Sequence, residues 1–200
     1  MNTNSDMHTD LMKTKRFLIC GLVAGPLFTI LWIIESVTRA HYNPLRHPVS
    51  SLALGDFGWM QVVNFILAGL LMIAFALGLR LALRSQRGST WGPLLVAIWG
   101  IGLLGAGIFV TDPVSGYPPG TPAVLLNPTA HGALHDQISV VGFLALTAAC
   151  FVFTYRFARQ GERITVTIGW TWLTLLAVHL LKPLTEYYIE TKGDLAPMKR

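Results

Sequence analysis

The sequence predicts an all-α integral membrane bundle with five transmembrane helices. Only 12% of its 200 residues are charged and 52% are hydrophobic, whereas a soluble domain carries about 25% charged residues. A helix that crosses the hydrocarbon core needs about 20 apolar residues, and spanning segments must be helical to pair their backbone groups. Apolar runs of about this length lie at residues 17–37, 60–79, 91–110, 133–155 and 164–181, the last slightly shorter than the rest.

The first span follows a basic segment, as a signal peptide would. Lys13, Lys15 and Arg16 precede the apolar run at 17–37. That run is longer than the hydrophobic region of a signal peptide, which has about 7–15 residues, and no clear Ala-x-Ala cleavage site follows it. We therefore expect an uncleaved first span preceded by a tail at 1–16.

Basic residues alternate between connecting segments and predict the topology. The segments at 38–59 and 111–130 are poor in Lys and Arg. We therefore expect a multi-pass protein of the cell membrane. The positive-inside rule predicts that its N-terminus is cytoplasmic and that these two segments face outward. The tail at 182–200 has mixed charge and does not test this topology. The cytoplasmic basic residues are Lys13, Lys15, Arg16, Arg80, Arg84, Arg87, Arg156, Arg159 and Arg163.

The net charge of +5 does not indicate a nucleic-acid partner. The basic residues lie at the ends of spans and form no stripe or aromatic-interleaved patch. The lipid bilayer is the expected partner, and a homo-oligomer is compatible with the sequence.

Within the bundle, two residues are positioned to cap helices and one span is rich in small residues. Asp56 precedes the second span and Thr129 precedes the fourth, and both residue types are favoured at N-caps. Gly102 and Ala106 form a small-x-x-x-small pair in the third span, which predicts close helix packing. The segment at 111–130 holds five prolines, which favour an ordered cover over a flexible tether, although a plain connector is also compatible.

Polar residues concentrate at the boundary that is predicted to face outward. Ionisable groups in or beside membrane helices are costly, so this concentration is the strongest functional signal in the chain. For Gln61 and Asn64, spaced i, i+3, interhelical hydrogen bonding is the default interpretation. The polar residues at this boundary are Glu35, His47, Ser50, Ser51, Asp56, Gln61, Asn64, Asp112, His131, His135 and Asp136.

His131 and His135 are spaced i, i+4, which places them on one helical face, one turn apart. Two such imidazoles can bind one metal ion, and His47 or Asp112 could supply a third ligand. Three interpretations stay open at this stage: histidines that fix helix packing, a zinc site, or a metal-free polar site for a ligand or a proton relay. Asp112 lies at the negative end of the third helix, so we expect it to have a compensating partner such as a histidine, Arg46 or a cation.

Three separated segments resemble a known family. They are HPVSSLALGDFGWMQVVNF at 47–65, GIFVTDP at 107–113 and HGALHD at 131–136. Together they resemble domain-of-unknown-function family 998, a family of bacterial and archaeal multi-spanning membrane proteins with no settled activity. The resemblance covers roughly 17–181 and implies a helical bundle of about six spans. This chain shows five clear spans, so it resembles that bundle without a clear last helix.

A weaker likeness is to the alkaline ceramidase and adiponectin-receptor superfamily of membrane hydrolases. The order of His47 and Ser50, then Asp112, then the His131 pair is similar to theirs, although that superfamily has more spans and its Ser precedes its His. The likeness implies a zinc ion held by His47, His131 and His135 that activates water against a lipid amide or ester.

Two functional hypotheses follow from the sequence. The first is a non-enzymatic protein whose polar His/Asp/Ser site at the outer face binds a lipid or small molecule, or holds the bundle together. The alternative is the zinc-dependent hydrolase, in which Ser50, Asp112 and Asp136 would be the catalytic residues.

Overall fold

The computed structural model describes residues 3–84, 90–123 and 127–161. Within these residues, four α-helices are long and apolar enough to cross a membrane, which confirms four of the five predicted spans. The predicted fifth span at 164–181 and the tail at 182–200 lie outside the described residues. In chain order the elements are α1 (Thr3–Thr38), the 3-10 helix Val49–Ala53, α2 (Gly58–Ala82), α3 (Trp91–Ile108) and α4 (Ala130–Arg159).

Helix α1 begins well before the apolar run that predicted it. It starts at Thr3 and continues through Lys13, Lys15 and Arg16 into the run at 17–37. Hydropathy detects only the apolar part, but Lys and Arg are good helix formers, so the helix continues beyond it. Pro26 lies inside α1, where membrane helices tolerate proline better than soluble ones do.

The core lies where α2 packs against α1 on one side and against α3 on the other. Its centre consists of the buried side chains of Phe65, Ala68, Leu103 and Ala106, against which Phe28 of α1 packs. Burial of Ala106 and of Gly102 in this part of α3 agrees with the close packing that the small-residue pair predicts.

Small residues set the distances between neighbouring helices. A methyl group on Gly69 of α2 would come within 2.8 Å of the Gly100 carbonyl oxygen of α3. A methyl group on Gly102 of α3 would come within 3.1 Å of the Cα atom of Gly142 of α4. The glycines therefore let backbones approach closely, as membrane helices without a hydrophobic driving force require.

One predicted helix cap is confirmed and the other is wrong. Thr129 precedes α4, and its hydroxyl accepts the Gly132 amide at 3.0 Å. Asp56 does not cap α2, whose N-cap is Phe57 without a side-chain hydrogen bond to the helix. The reason is local, because the Gly58 amide bonds the Gly55 carbonyl at 3.0 Å and closes a turn around Asp56 before α2 begins.

Candidate polar site beneath the cover

Two loops meet where α1 ends and α2 begins, and together they form a cover, defined here as residues 39–57 and 111–123. The Tyr117 ring is 3% exposed and lies 5.6 Å from the Tyr42 ring and 5.1 Å from the His47 ring, between centroids. Tyr42, Tyr117 and Leu52 form a buried cluster. The described part of the proline-rich segment, 111–123, is therefore anchored to the first loop by Tyr117, in agreement with the prediction of a cover.

His47 is held as a neutral structural residue within the cover. Its Nδ1 atom accepts the Asn43 amide at 3.0 Å. Burial lowers the pKa of His47, the positive charge of Arg46 lowers it further, and a hydrogen bond to the Ser115 backbone opposes both. Because Nδ1 already accepts the Asn43 amide, this nitrogen does not offer its lone pair to a metal ion.

The two tyrosines of the cover are also held neutral. The Tyr42 hydroxyl donates to the carbonyls of His47 and Pro48, each at 3.2 Å. Burial raises the pKa of Tyr42 and of Tyr117 above their ordinary values. The cover therefore contributes a buried cluster of neutral aromatic side chains.

An ion pair joins the end of α1 to the cover. The Arg39 Nη2 atom lies 3.0 Å from Oε2 of Glu35, whose side chain is 2% exposed. The same nitrogen donates to the Leu52 carbonyl at 3.2 Å and the Phe57 carbonyl at 2.7 Å. Sequence reasoning placed Glu35 at this boundary but missed Arg39, although the i, i+4 spacing of opposite charges was a signal for the pair.

Gln61 and Asn64 of α2 lie against α1 and are fully enclosed. The Asn64 Nδ2 atom donates to the Phe28 carbonyl and to Oε1 of Gln61, each at 3.2 Å. Because a carbonyl oxygen only accepts, these bonds fix which end of each amide is oxygen and which is nitrogen. The predicted interhelical hydrogen bonding is thus confirmed for Asn64.

Among the described residues, four fully buried polar side chains at this end keep an atom without a hydrogen-bond partner, and we call them the polar strip. The half-buried Trp32 and Ser36 of α1 each hold one more such atom. On α1, Glu35 follows Phe28 by seven residues and so lies on the same helical face. Gln61 is one turn nearer the cover than Asn64. The strip and its unpaired atoms are Glu35 Oε1, Ser51 Oγ, Gln61 Nε2 and Asn64 Oδ1.

Asp112 lies away from the strip and holds the start of α4. Its Oδ2 atom accepts the Thr129 amide and its Oδ1 atom accepts the Thr129 hydroxyl, each at 2.8 Å. Among the described residues, Thr129 is thus the hydrogen-bond partner of Asp112, in place of the predicted histidine or Arg46. Because both carboxylate oxygens are engaged, the arrangement does not favour Asp112 as a proton acceptor.

The histidine pair of α4 is divided between two environments. His135 is 4% exposed, and its Nδ1 atom lies 2.7 Å from the Phe109 carbonyl, so that Nδ1 carries the proton in this bond. His131 is exposed and approaches the Phe109 ring edge-on, with centroids 5.7 Å apart. Among the described residues, no three His, Cys, Asp or Glu side chains are grouped to hold one metal ion, so the predicted zinc set of His47, His131 and His135 is not assembled there.

The remaining predicted catalytic residues have no shared site. Ser50 is half-buried within the 3-10 helix, and Asp136 is exposed on α4. The contacts of the site instead join His47 to Tyr117 and Glu35 to Arg39. The residues that meet at this boundary therefore differ from the predicted set, and a functional site there stays a prediction.

Comparison with known proteins supports the family indicated by the sequence motifs. No curated protein matches the chain, and no solved structure matches it. A family model described as a protein of unknown function, DUF998, matches residues 22–196. The chain is therefore a multi-pass membrane protein that belongs to the DUF998 family.

Proposed function

We propose that this protein is a non-enzymatic membrane protein that binds a small polar molecule in the polar strip beneath the cover. The observation that carries the proposal is the enclosed amide pair of Gln61 and Asn64, each with one polar atom that no group of the described residues satisfies. An unsatisfied buried polar group costs about 1–3 kcal/mol. A ligand that pairs with these atoms would offset that cost.

The chemistry of the strip favours a neutral ligand with a hydroxyl or amide group. Gln61 Nε2 is a donor, Glu35 Oε1 and Asn64 Oδ1 are acceptors, and Ser51 Oγ can act as either. A cation is disfavoured because Arg39 already neutralises Glu35. A ligand that both donates and accepts matches the mixed set of atoms.

The strip ends part-way along the bundle, which favours binding over transport. Beyond Asn64, the side chains between the helices are apolar, namely Phe65, Ala68, Leu103 and Ala106. Among the described residues, this apolar core does not continue the strip toward the opposite end of the bundle. The basic residues at the opposite end of the bundle favour a cover that faces outside the cell, so the ligand would enter from there.

The experiment compares the full-length protein with a Gln61→Leu/Asn64→Leu variant, both purified in mild detergent. Small molecules are released by denaturation and measured by mass spectrometry. A compound retained near one per protein by the wild type and lost from the variant is the expected result. Val63→Leu, at a half-exposed position on the same helix, is the matched control and should retain the compound.

Denaturant unfolding of the same samples separates binding from a structural role. Leucines that replace unsatisfied polar groups in an apolar setting are often neutral or stabilising. If no compound distinguishes the samples and the double variant is at least as stable as the wild type, the strip has no ligand and the proposal is wrong.

A further inference from the structure

A groove opens between α2 and α3 at the end of the bundle away from the cover. Its volume is about 230 Å³. Ile73 and Leu77 of α2 form one wall, and Leu94 and Ala97 of α3 form the other. The exposed fractions of Leu77 and Leu94 are 52% and 45%, so the groove opens at the surface of the described helices.

The mouth of this groove is polar and positively charged. Arg80, in the last turn of α2, donates from Nη1 to the Thr90 hydroxyl at 3.2 Å. This bond holds the guanidinium where α3 begins. Thr90 is the N-cap of α3, and the N-terminal end of a helix carries a partial positive charge. The mouth therefore favours an anion, whereas the walls favour a hydrocarbon chain.

We infer that this groove binds one anionic phospholipid. Its phosphate lies against Arg80, and one acyl chain lies between Leu77 and Leu94. A hydrophobic wall and a cationic mouth at the end of an apolar helix match the two parts of such a lipid. Basic pockets between membrane helices recognise anionic headgroups in this way. The inference is independent of the polar strip, which lies at the other end of the bundle.

The test is native mass spectrometry of the full-length protein in detergent with equal amounts of phosphatidylglycerol and phosphatidylcholine. The wild type should retain phosphatidylglycerol in preference. Arg80→Gln should reduce this preference about fivefold, since one basic residue near an anionic membrane contributes an effect of that order. Arg84→Gln removes the same charge four residues later and outside the groove, so it should keep the preference.

A second variant tests the groove itself. Ala97→Leu fills space between the walls and should reduce the retention of both lipids while leaving the charge unchanged. Equal losses in Arg80→Gln and Arg84→Gln would show diffuse surface attraction and overturn the inference. Unchanged retention in Ala97→Leu would also overturn it, provided that thermal unfolding shows each variant to be folded.

Discussion

Asp112 holds Thr129 by both of its carboxylate oxygens, one on the backbone amide and one on the hydroxyl, each at 2.8 Å. The Thr129 hydroxyl in turn caps α4 through the Gly132 amide. Gly132 has no side chain because a Cβ atom there would collide with the Asp112 carboxylate. The end of α3 and the start of α4 are thus joined by one acidic side chain.

Removal of this carboxylate should loosen the start of α4. We expect Asp112→Ala to lower the free energy of unfolding by about 1–2 kcal/mol, as loss of a cap and of charge-assisted hydrogen bonds does. Denaturant unfolding in detergent and amide exchange at 129–134 are the measurements. Asp136→Ala, at an exposed position on the same helix, is the control and should change stability by less than about 0.5 kcal/mol. Equal effects of the two substitutions would contradict the assigned role of Asp112.

The Glu35–Arg39 pair should show strong coupling in a double-mutant cycle. Arg39→Met leaves the buried Glu35 charge without its partner and should cost about 3–5 kcal/mol. Glu35→Gln/Arg39→Met removes both charges and should be less destabilised than Arg39→Met alone. Arg39→Lys keeps the charge but cannot reproduce the bonds to both the Leu52 and Phe57 carbonyls. Its free energy of unfolding should therefore lie between those of the wild type and Arg39→Met. Additive effects in unfolding measurements would show that the pair is not coupled.

His47 should make stability depend on pH. Its pKa is lowered in the folded protein by burial and by Arg46, so the unfolded chain binds the proton more tightly. The stability that neutral His47 contributes is fully present above its pKa in the unfolded chain, about 6.5. It is lost as the pH falls through the lower pKa of the folded protein. Protonation of Nδ1 would also break the bond from the Asn43 amide.

The measurement is the unfolding temperature between pH 7.5 and 5. The wild type should lose stability toward the acidic end of this range more steeply than His47→Gln, which cannot titrate. The exposed His131 offers a matched control, and His131→Gln should follow the wild-type pH profile. Parallel profiles for the wild type and His47→Gln would disprove the linkage.

The close approach of α2 and α3 should be sensitive to a single methyl group. Gly69→Ala would place its Cβ atom 2.8 Å from the Gly100 carbonyl oxygen, and this overpacking should cost about 1–3 kcal/mol. Gly25→Ala is the control because nothing lies within 4 Å of a Cβ atom there, and its effect should stay within about 0.5 kcal/mol. A comparable loss at both sites in unfolding experiments would rule out a packing origin.

Local sequence features predicted much of the fold because they depend on neighbouring residues only. Apolar runs give membrane helices, since an unpaired backbone is too costly in lipid. Thr129 was recognisable as a cap from its position before an apolar segment. The same rule wrongly predicted Asp56 as a cap of α2. The turn that encloses Asp56 moves the start of α2 to a later residue, and the position of that start is not visible in the local sequence.

The residues of the site were harder to predict. The sequence predicted that many polar side chains lie at one end of the bundle. Which of these side chains contact one another depends on how each helix is rotated about its axis. Spacing placed His131 and His135 on one face, yet one is exposed and the other is buried against Phe109. A regular spacing determines which side chains share a helical face. It does not determine which neighbouring residues that face contacts.

The sequence by itself therefore determined the membrane class, four helices confirmed by the structure, the family and the boundary at which polar residues gather. Only the tertiary structure decided that Tyr117 packs on His47, that Arg39 joins Glu35 to the cover, and that Gln61 and Asn64 are enclosed against α1. The physical reason is that hydropathy and helix propensity act along the chain, whereas these contacts join segments distant in sequence. Such contacts depend on how whole helices pack.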